Sequence, residues 1–498
     1  MNGERAIPRR SFLVGAAAIG LLAACTSDPG DAPPSSPSPS KPTAPAPSPS
    51  ARPTRLGVAL VGAGGHGSQL ARRLVKDPRV RLRVVCDPDT ARTAAIAAAL
   101  EDAGAPRPDR VTDLRRVLDD PTIDAVVIAT PHHWHALAAV WALQAGKHVY
   151  LEKPATHSLL EGPELLAAWR GSGLVVEVGT QRRSHPGLQE AIAALRAGEV
   201  GVVEHARCYS WKRRPPIGPE VRGSWPDTLD PDLWFGPRPV ERPTREKFHY
   251  DWHWFTDFGN GGLGNNGVHR LDVARWGMDL PPSATGVLSV GGRLGPDDAG
   301  QTPNTALTVV AFGERTVAHD LRGLPTAPDA RLDQGMQPTD EVVFVGDGAT
   351  LVVSRTGGRL VDGRGKVVTR YGRGAEDVDP IRRHLRGFVA ACLAGDPGAV
   401  AVGPAEGVAA ADMCHAPAAA HAAALRAGEP LEPGTVRDEV ASMCGPVMEL
   451  PVESFLSHLR ASGGGAGVVD SGVRRLAAGT VAGAPEEFEY RAGFDLEG

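Results

Sequence analysis

Residues 62–67 read Gly-Ala-Gly-Gly-His-Gly, directly after the apolar run 56–61 and directly before the helical pattern QLARRLV. Gly62 permits a tight turn, Gly64 lets the backbone approach a bound phosphate, and Gly67 lets the following helix pack closely on the strand. With Gly65 and His66 they form a turn whose free N–H groups and helix dipole suit a pyrophosphate. A second apolar run, RLRVVCD, ends in Asp87, twenty residues after Gly67. A carboxylate there can accept the hydroxyls of an adenosine ribose and repels a 2′-phosphate, so NAD is expected over NADP. Lys153, in Glu152-Lys153-Pro154 at the end of the run HVYL, is the candidate base. Oxidising a secondary alcohol by hydride transfer needs a group that removes the hydroxyl proton, and desolvation lowers a lysine toward the working range while Glu152 opposes this.

These residues require a parallel sheet to bring them together. Apolar runs recur at 125–129, 148–151 and 174–178, separated by helical patterns at 136–145 and 159–171. Such alternation predicts an α/β Rossmann dinucleotide-binding domain with its crevice at the carboxyl ends of the strands. Thr130 and Pro131 fall there and are expected to contact the cofactor, with Glu152 and Lys153. His132, His133 and His135 form H-H-x-H, but a zinc site needs further ligands that no Cys or Asp spacing supplies, so no metal is expected. His135 is read instead as bonding nearby backbone and shaping the cofactor loop. Beyond Val203 come strand-like segments without long intervening helices, VVEHARCYS, ATGVLSVGG, ALTVVAF, EVVFVG and ATLVVS. They predict an α+β domain with a large, mainly antiparallel open sheet. Helical patterns return at 381–394 and 405–425.

The motifs VGAGGHG, VCDPD, IATPHHWH, AGKHVYLEKP, VGTQRRS and GNGGLGNNGVHRLD, in this order, resemble the glucose-fructose oxidoreductase, inositol dehydrogenase and MocA (Gfo/Idh/MocA) family across roughly residues 55–425. The resemblance implies a nicotinamide cofactor beside Lys153, a Lys153-Pro154 peptide that is often cis, and His269 as a proton carrier across the substrate. It also implies a homo-oligomer packed through the open sheet. The family usually has Asp four residues before the histidine, where this chain has Asn265. Asparagine can orient a hydroxyl but cannot accept its proton, so a relay would run through Lys153, His269 or water. Residues after about 450 match no named pattern.

Residues 209–276 hold twelve of the 25 aromatic side chains, a density that suits sugar C–H faces. For any one of them, filling a core is the competing explanation. Gln181, Arg182, Tyr250, Trp254, Asn265 and Asp272 are the candidate contacts to a small-molecule carbohydrate.

The N-terminus reads as an address. Arg9 and Arg10 precede an apolar stretch from Phe12 to Ala24, too short to span a bilayer, and Leu22-Ala23-Ala24-Cys25 resembles a lipobox. Export by a twin-arginine signal and anchoring through a lipid on Cys25 are expected, with no other membrane contact. Residues 29–53 contain ten prolines and six serines, a composition suited to an extended tether rather than a core. The expected order is a signal peptide (1–24), a tether (25–54), the Rossmann domain (55–178), a substrate and oligomerisation domain (179–450) and a weakly ordered extension (451–498). A formal net charge of -5 argues against nucleic-acid binding, and six cysteines without a C-x-x-C pair exclude a disulfide scaffold.

The expected activity is nicotinamide-dependent oxidation of a secondary hydroxyl on a sugar, glycoside or cyclitol, with the cofactor tightly held. Two alternatives stand beside it: a redox-neutral glycoside hydrolase or sugar transhydrogenase, and a non-catalytic, lipid-anchored sugar-binding protein, for which Asn265 is the supporting feature.

Overall fold

The computed structural model describes residues 54–212, 214–241, 244–294, 298–323, 341–427, 490, 491 and 494. The expected signal peptide, all of the expected tether but its last residue, and most of the expected extension lie outside them. β1 (Leu56–Val61), β2 (Val80–Cys86), β3 (Asp109–Val111), β4 (Ala125–Ile128), β5 (His148–Leu151) and β6 (Val176–Val178) form a parallel sheet in the order β3-β2-β1-β4-β5-β6. Helices α1 (Gly65–Leu74), α2 (Thr90–Asp102), α3 (Leu114–Leu118), α4 (His135–Gln144) and α5 (Glu161–Ser172) connect these strands, and α6 (Pro186–Arg196) leads out. β1 and β4 are apolar throughout because both faces of the sheet are covered. The strand order reverses between β1 and β4, which opens a crevice beyond their carboxyl ends.

The second sheet has eight strands: β7 (Val203–Trp211), β8 (Gly286–Gly292), β9 (Thr305–Phe312), β10 (Arg315–Arg322), β11 (Val342–Gly346), β12 (Ala349–Val353), β13 (Gly358–Asp362) and β14 (Val367–Tyr371). All neighbours are antiparallel except β7 and β10. The sequence pattern misses β10, β13 and β14, whose charged residues interrupt the apolar alternation. Short helices α7 (Pro231–Phe235) and α8 (Phe248–Asp251) carry the aromatic segment, while α9 (Val268–Met278), with α6 and α11 (Pro404–Ala427), packs on the second sheet.

Two features cross the expected boundaries. Leu385, Phe388, Val389 and Cys392 of α10 (Pro380–Ala394) join the core of Leu56, Val58, Leu60 and Leu70, so the parallel sheet draws one covering helix from late in the chain. Weak order was expected after 451, yet Phe494 is buried in an edge contact with Trp134 and a stack on Trp141. Arg491 Nε donates to the Gly236 carbonyl at 2.9 Å, and Tyr490 Oη donates to Glu161 at 3.2 Å.

Most of the aromatic enrichment is core. Trp234, Phe235, Phe248, Phe255 and Phe258 cluster with Leu229, and the Arg245 guanidinium sits over four of these rings. Burial pulls Arg245 down to about 10, and the ring faces offset part of its desolvation.

Candidate active site

A cavity of about 430 Å³ lies at the crevice between the sheets and is lined by both catalytic candidates, Lys153 and His269. The glycine turn forms one end. Gly62 has φ +94°, and a Cβ there would meet the Ala129 carbonyl oxygen at 2.5 Å. A Cβ on Gly67 would lie 1.9 Å from the Gly62 carbonyl oxygen, so Gly67 packs the turn and does not itself line the cavity. α1 begins at Gly65 with no side-chain cap, leaving its first N–H groups for a ligand.

Asp87 is buried and also lines the cavity. Its Oδ2 accepts from Ala63 N at 2.8 Å and its Oδ1 from Asp89 N at 2.9 Å, which ties the end of β2 to the turn after β1. Burial raises its pKa, opposed by these N–H groups. A carboxylate offers about four acceptor positions, so two remain for ribose hydroxyls. The uncapped helix start, the glycine turn and the spare carboxylate acceptors fit the dinucleotide the spacing implies.

Toward the other end, Lys153 Nζ donates to the Asn265 carbonyl at 3.0 Å, with the Asn265 side-chain oxygen 3.5 Å away. The Lys153-Pro154 peptide is cis. Burial lowers the lysine pKa, while Glu152 opposes the shift. Glu152 in turn lies 2.8 Å from His66 of the glycine turn and accepts from Lys153 N at 3.2 Å, so one buried carboxylate links the two motifs. Gly179 makes room for it, since a Cβ there would meet Glu152 Oε1 at 2.7 Å.

His269 is buried, and desolvation with the positive charges of Arg182 and Lys153 holds its pKa well below the ordinary value. The shift favours the neutral imidazole over its protonated form. Its Nδ1, Thr130 Oγ1 and Gln181 Oε1 are buried without hydrogen-bond partners among the described residues, and all three side chains line the cavity. Unpaired polar atoms of this kind call for a polar ligand or water.

The three neighbouring histidines diverge. His135 faces the Pro154 carbonyl at 2.6 Å and the Thr130 carbonyl at 3.0 Å, bracing the loops after β4 and β5. His133 bonds the Trp234 carbonyl at 3.1 Å, and His132 meets Asn260 at 3.0 Å. Among the described residues no group of three or more His, Cys, Asp or Glu side chains could hold a metal ion.

Of the expected substrate contacts, Gln181, Tyr250 and Asn265 line this cavity, and Arg182, Trp254 and Asp272 do not. Arg182 is paired with Glu341. Asp272 is fully buried and grips Arg183 through contacts of 2.7–3.0 Å. Trp254 lies under the guanidiniums of Arg214 and Arg293, at 5.5 and 5.7 Å from its ring centre. Sequence reading gave no cofactor or substrate role to His132, His249, Trp252, His253 and Asn266, which line the cavity. Trp252 and His253 stack with ring centres 3.7 Å apart and cross His132 edge-on. Their signal was the segment YDWHWF itself, where the short 3-10 turn aims residues 252 and 253 at the cavity and residue 254 away from it.

Residues 56–180 match the Gfo/Idh/MocA model, an oxidoreductase family with an NAD-binding Rossmann fold. The chain is 35% identical to an NAD(+)-dependent scyllo-inositol 2-dehydrogenase of Bacillus subtilis over 144 residues, 29% of this chain and 41% of the relative. It is 32% identical to an inositol 2-dehydrogenase of Rubrobacter xylanophilus over 249 residues, 48% of this chain and 63% of the relative. The chain thus spans about half the length of these curated relatives. A levoglucosan dehydrogenase solved with NADH and levoglucosan superposes with a TM-score of 0.53 at 21% identity, over 73% of this chain and 97% of that one, and shares the fold.

Proposed function

We propose that the protein, whose residues 56–180 match the model of the Gfo/Idh/MocA oxidoreductase family, oxidises a secondary hydroxyl of a sugar, glycoside or cyclitol with NAD as hydride acceptor. The carrying observation is that Lys153, with its lowered pKa, and His269, with its unpartnered Nδ1, line the same cavity as the uncapped glycine turn. In this reading Gly62, Gly64, Gly65, His66 and Asp87 hold the dinucleotide, with Thr130, Pro131, His135 and Glu152 around its nicotinamide end. When bound, NAD supplies the hydride acceptor. Lys153 takes the hydroxyl proton as the carbinol C–H bond breaks and a ketone forms. His269 holds or passes that proton, and Asn265 fixes the lysine through its carbonyl instead of acting as a base. Gln181 and Tyr250 orient the sugar, with Trp252 and His253 offering an aromatic wall.

The proposal includes export by the twin-arginine pattern at Arg9-Arg10, a lipid on Cys25 and assembly as a homo-oligomer. A protein exported folded can carry its cofactor out, where no dependable pool replaces it, so the cofactor is tightly held. The test is to incubate the purified full chain, with its native cofactor, with a panel of sugars, glycosides and cyclitols. Bound NAD by mass spectrometry and reduction of that NAD by one class of substrate support the reading. Many turnovers per bound cofactor without added nucleotide would favour redox-neutral chemistry. Absence of both bound NAD and NAD-dependent turnover would refute the oxidoreductase reading.

A further inference from the structure

A second cavity, of about 540 Å³, adjoins the first. Asn266 lines both, and Arg214 of the second donates from Nη1 to Oη of Tyr250 in the first at 3.1 Å. Its lining carries Lys212, Arg214, Arg270 and Arg355 against one carboxylate, Glu341. This basic concentration stands on a chain whose formal net charge is -5.

Glu341 cannot neutralise it. That buried carboxylate already accepts from Arg270 at 2.7 Å, from Arg355 at 3.0 Å and from Arg182. Three guanidiniums share one negative charge. Lys212 and Arg214 have no carboxylate within ion-pairing distance among the described residues, and Arg214, with burial, pulls the Lys212 ammonium below the ordinary lysine range. Arg270 is itself buried, its Nε without a partner among the described residues. Gathering like charges this way costs stability unless an anion completes the site.

Aromatic faces stand beside the cations. Tyr209, Trp211 and Trp254 line the cavity, with Arg322 over Trp211 at 4.7 Å and Arg214 over Trp254 at 5.5 Å. Guanidiniums suit a planar carboxylate, and indole faces suit the C–H face of a pyranose ring. We propose that the second cavity is a binding site for an acidic saccharide unit, a uronate whose carboxylate lies among Lys212, Arg214 and Arg355. A saccharide longer than one ring could then present a neutral ring to Lys153 and its uronate here. The sugar part of this inference rests on the proposed function, whereas the anion preference rests on the second cavity alone.

The test uses the full chain and titration calorimetry at low ionic strength with D-glucuronate, D-glucose and inorganic phosphate as probes. Glucuronate is expected to bind at least about tenfold more tightly than glucose, because one charge-assisted pair is worth that much. The exposed pair Lys212→Met and Arg355→Met, combined in one variant whose melting temperature is checked against the parent, should bring the two sugars to within about twofold. Equal affinities in the parent, or an unaltered preference in a folded variant, would overturn the proposal. Phosphate binding that glucuronate does not displace would also overturn it. NAD binding, measured separately on the parent, reads the first cavity: its loss beside an intact glucuronate preference counts against the oxidoreductase reading and leaves this one standing.

Discussion

The cavity at the glycine turn and the cavity beside Glu341 share Asn266 but use charge differently. In the first, Asp87, Asp113 and Glu152 accompany Arg92 and Lys153, so opposite charges nearly balance. The local field there tunes protonation: His66 is raised mainly by Glu152, while burial lowers Lys153. In the second, four cations face one saturated carboxylate, and the excess can attract an anion. Lysine illustrates the difference. Lys153 is lowered mainly by burial, beside a balanced set of charges, whereas exposed Lys212 is lowered mainly by the charge of Arg214, a repulsion that a bound anion would relieve.

The strongest way to break this comparison is to remove the proton carrier. Lys153→Ala should lower turnover about 10²- to 10⁴-fold while NAD binding, followed by fluorescence, survives. Near-parental turnover would take the base role from Lys153 and leave the two lysines undistinguished. Next comes the cofactor cradle. Gly67→Ala places a Cβ 1.9 Å from the Gly62 carbonyl oxygen, so it should cost about 1–3 kcal/mol in denaturant unfolding and weaken NAD binding. An unchanged NAD affinity would mean the turn does not hold the dinucleotide.

A smaller effect should appear with pH. Lys153 must be neutral to accept a proton, and its pKa is lowered, so kcat/KM for oxidation should rise with pH through a value below the ordinary lysine range, about 10.4. A profile flat through the alkaline range would point to another base. The smallest change expected is with salt. Raising ionic strength from about 0.01 to 0.15 M shortens the screening length from about 30 to 8 Å, which should weaken glucuronate binding several-fold and leave glucose binding unchanged. Parallel responses for the two sugars would erase the electrostatic distinction between the cavities.

The glycine turn, Asp87, the Glu152-Lys153-Pro154 corner and His269 were legible because each is set by a short run of covalent spacing after a strand or on a helix. Eighteen residues were singled out, and fourteen of them line the first cavity. Arg182, Trp254 and Asp272 fall outside the first cavity for one reason: a polar or aromatic residue next to a motif shows its type, but not which neighbour claims it. Adjacent Arg182 and Arg183 reach different acids, Glu341 and Asp272. Trp252, His253 and Trp254 are consecutive in sequence, yet the turn divides them between two cavities.

Local pattern determined the parallel sheet, the phosphate turn and the place of the lysine, because strand periodicity and glycine conformations are properties of a few consecutive residues. Tertiary structure alone decided the rest. The basic cavity joins β7, β10, the start of β11 and the turn after β12, brought together from residues 209–356. Likewise, the link from His66 to Glu152 spans strands β1 and β5, and α10 completes a core begun at Leu56. Charge excess, pKa and side-chain partners depend on distances across the fold, and those distances exist only after the two sheets have packed.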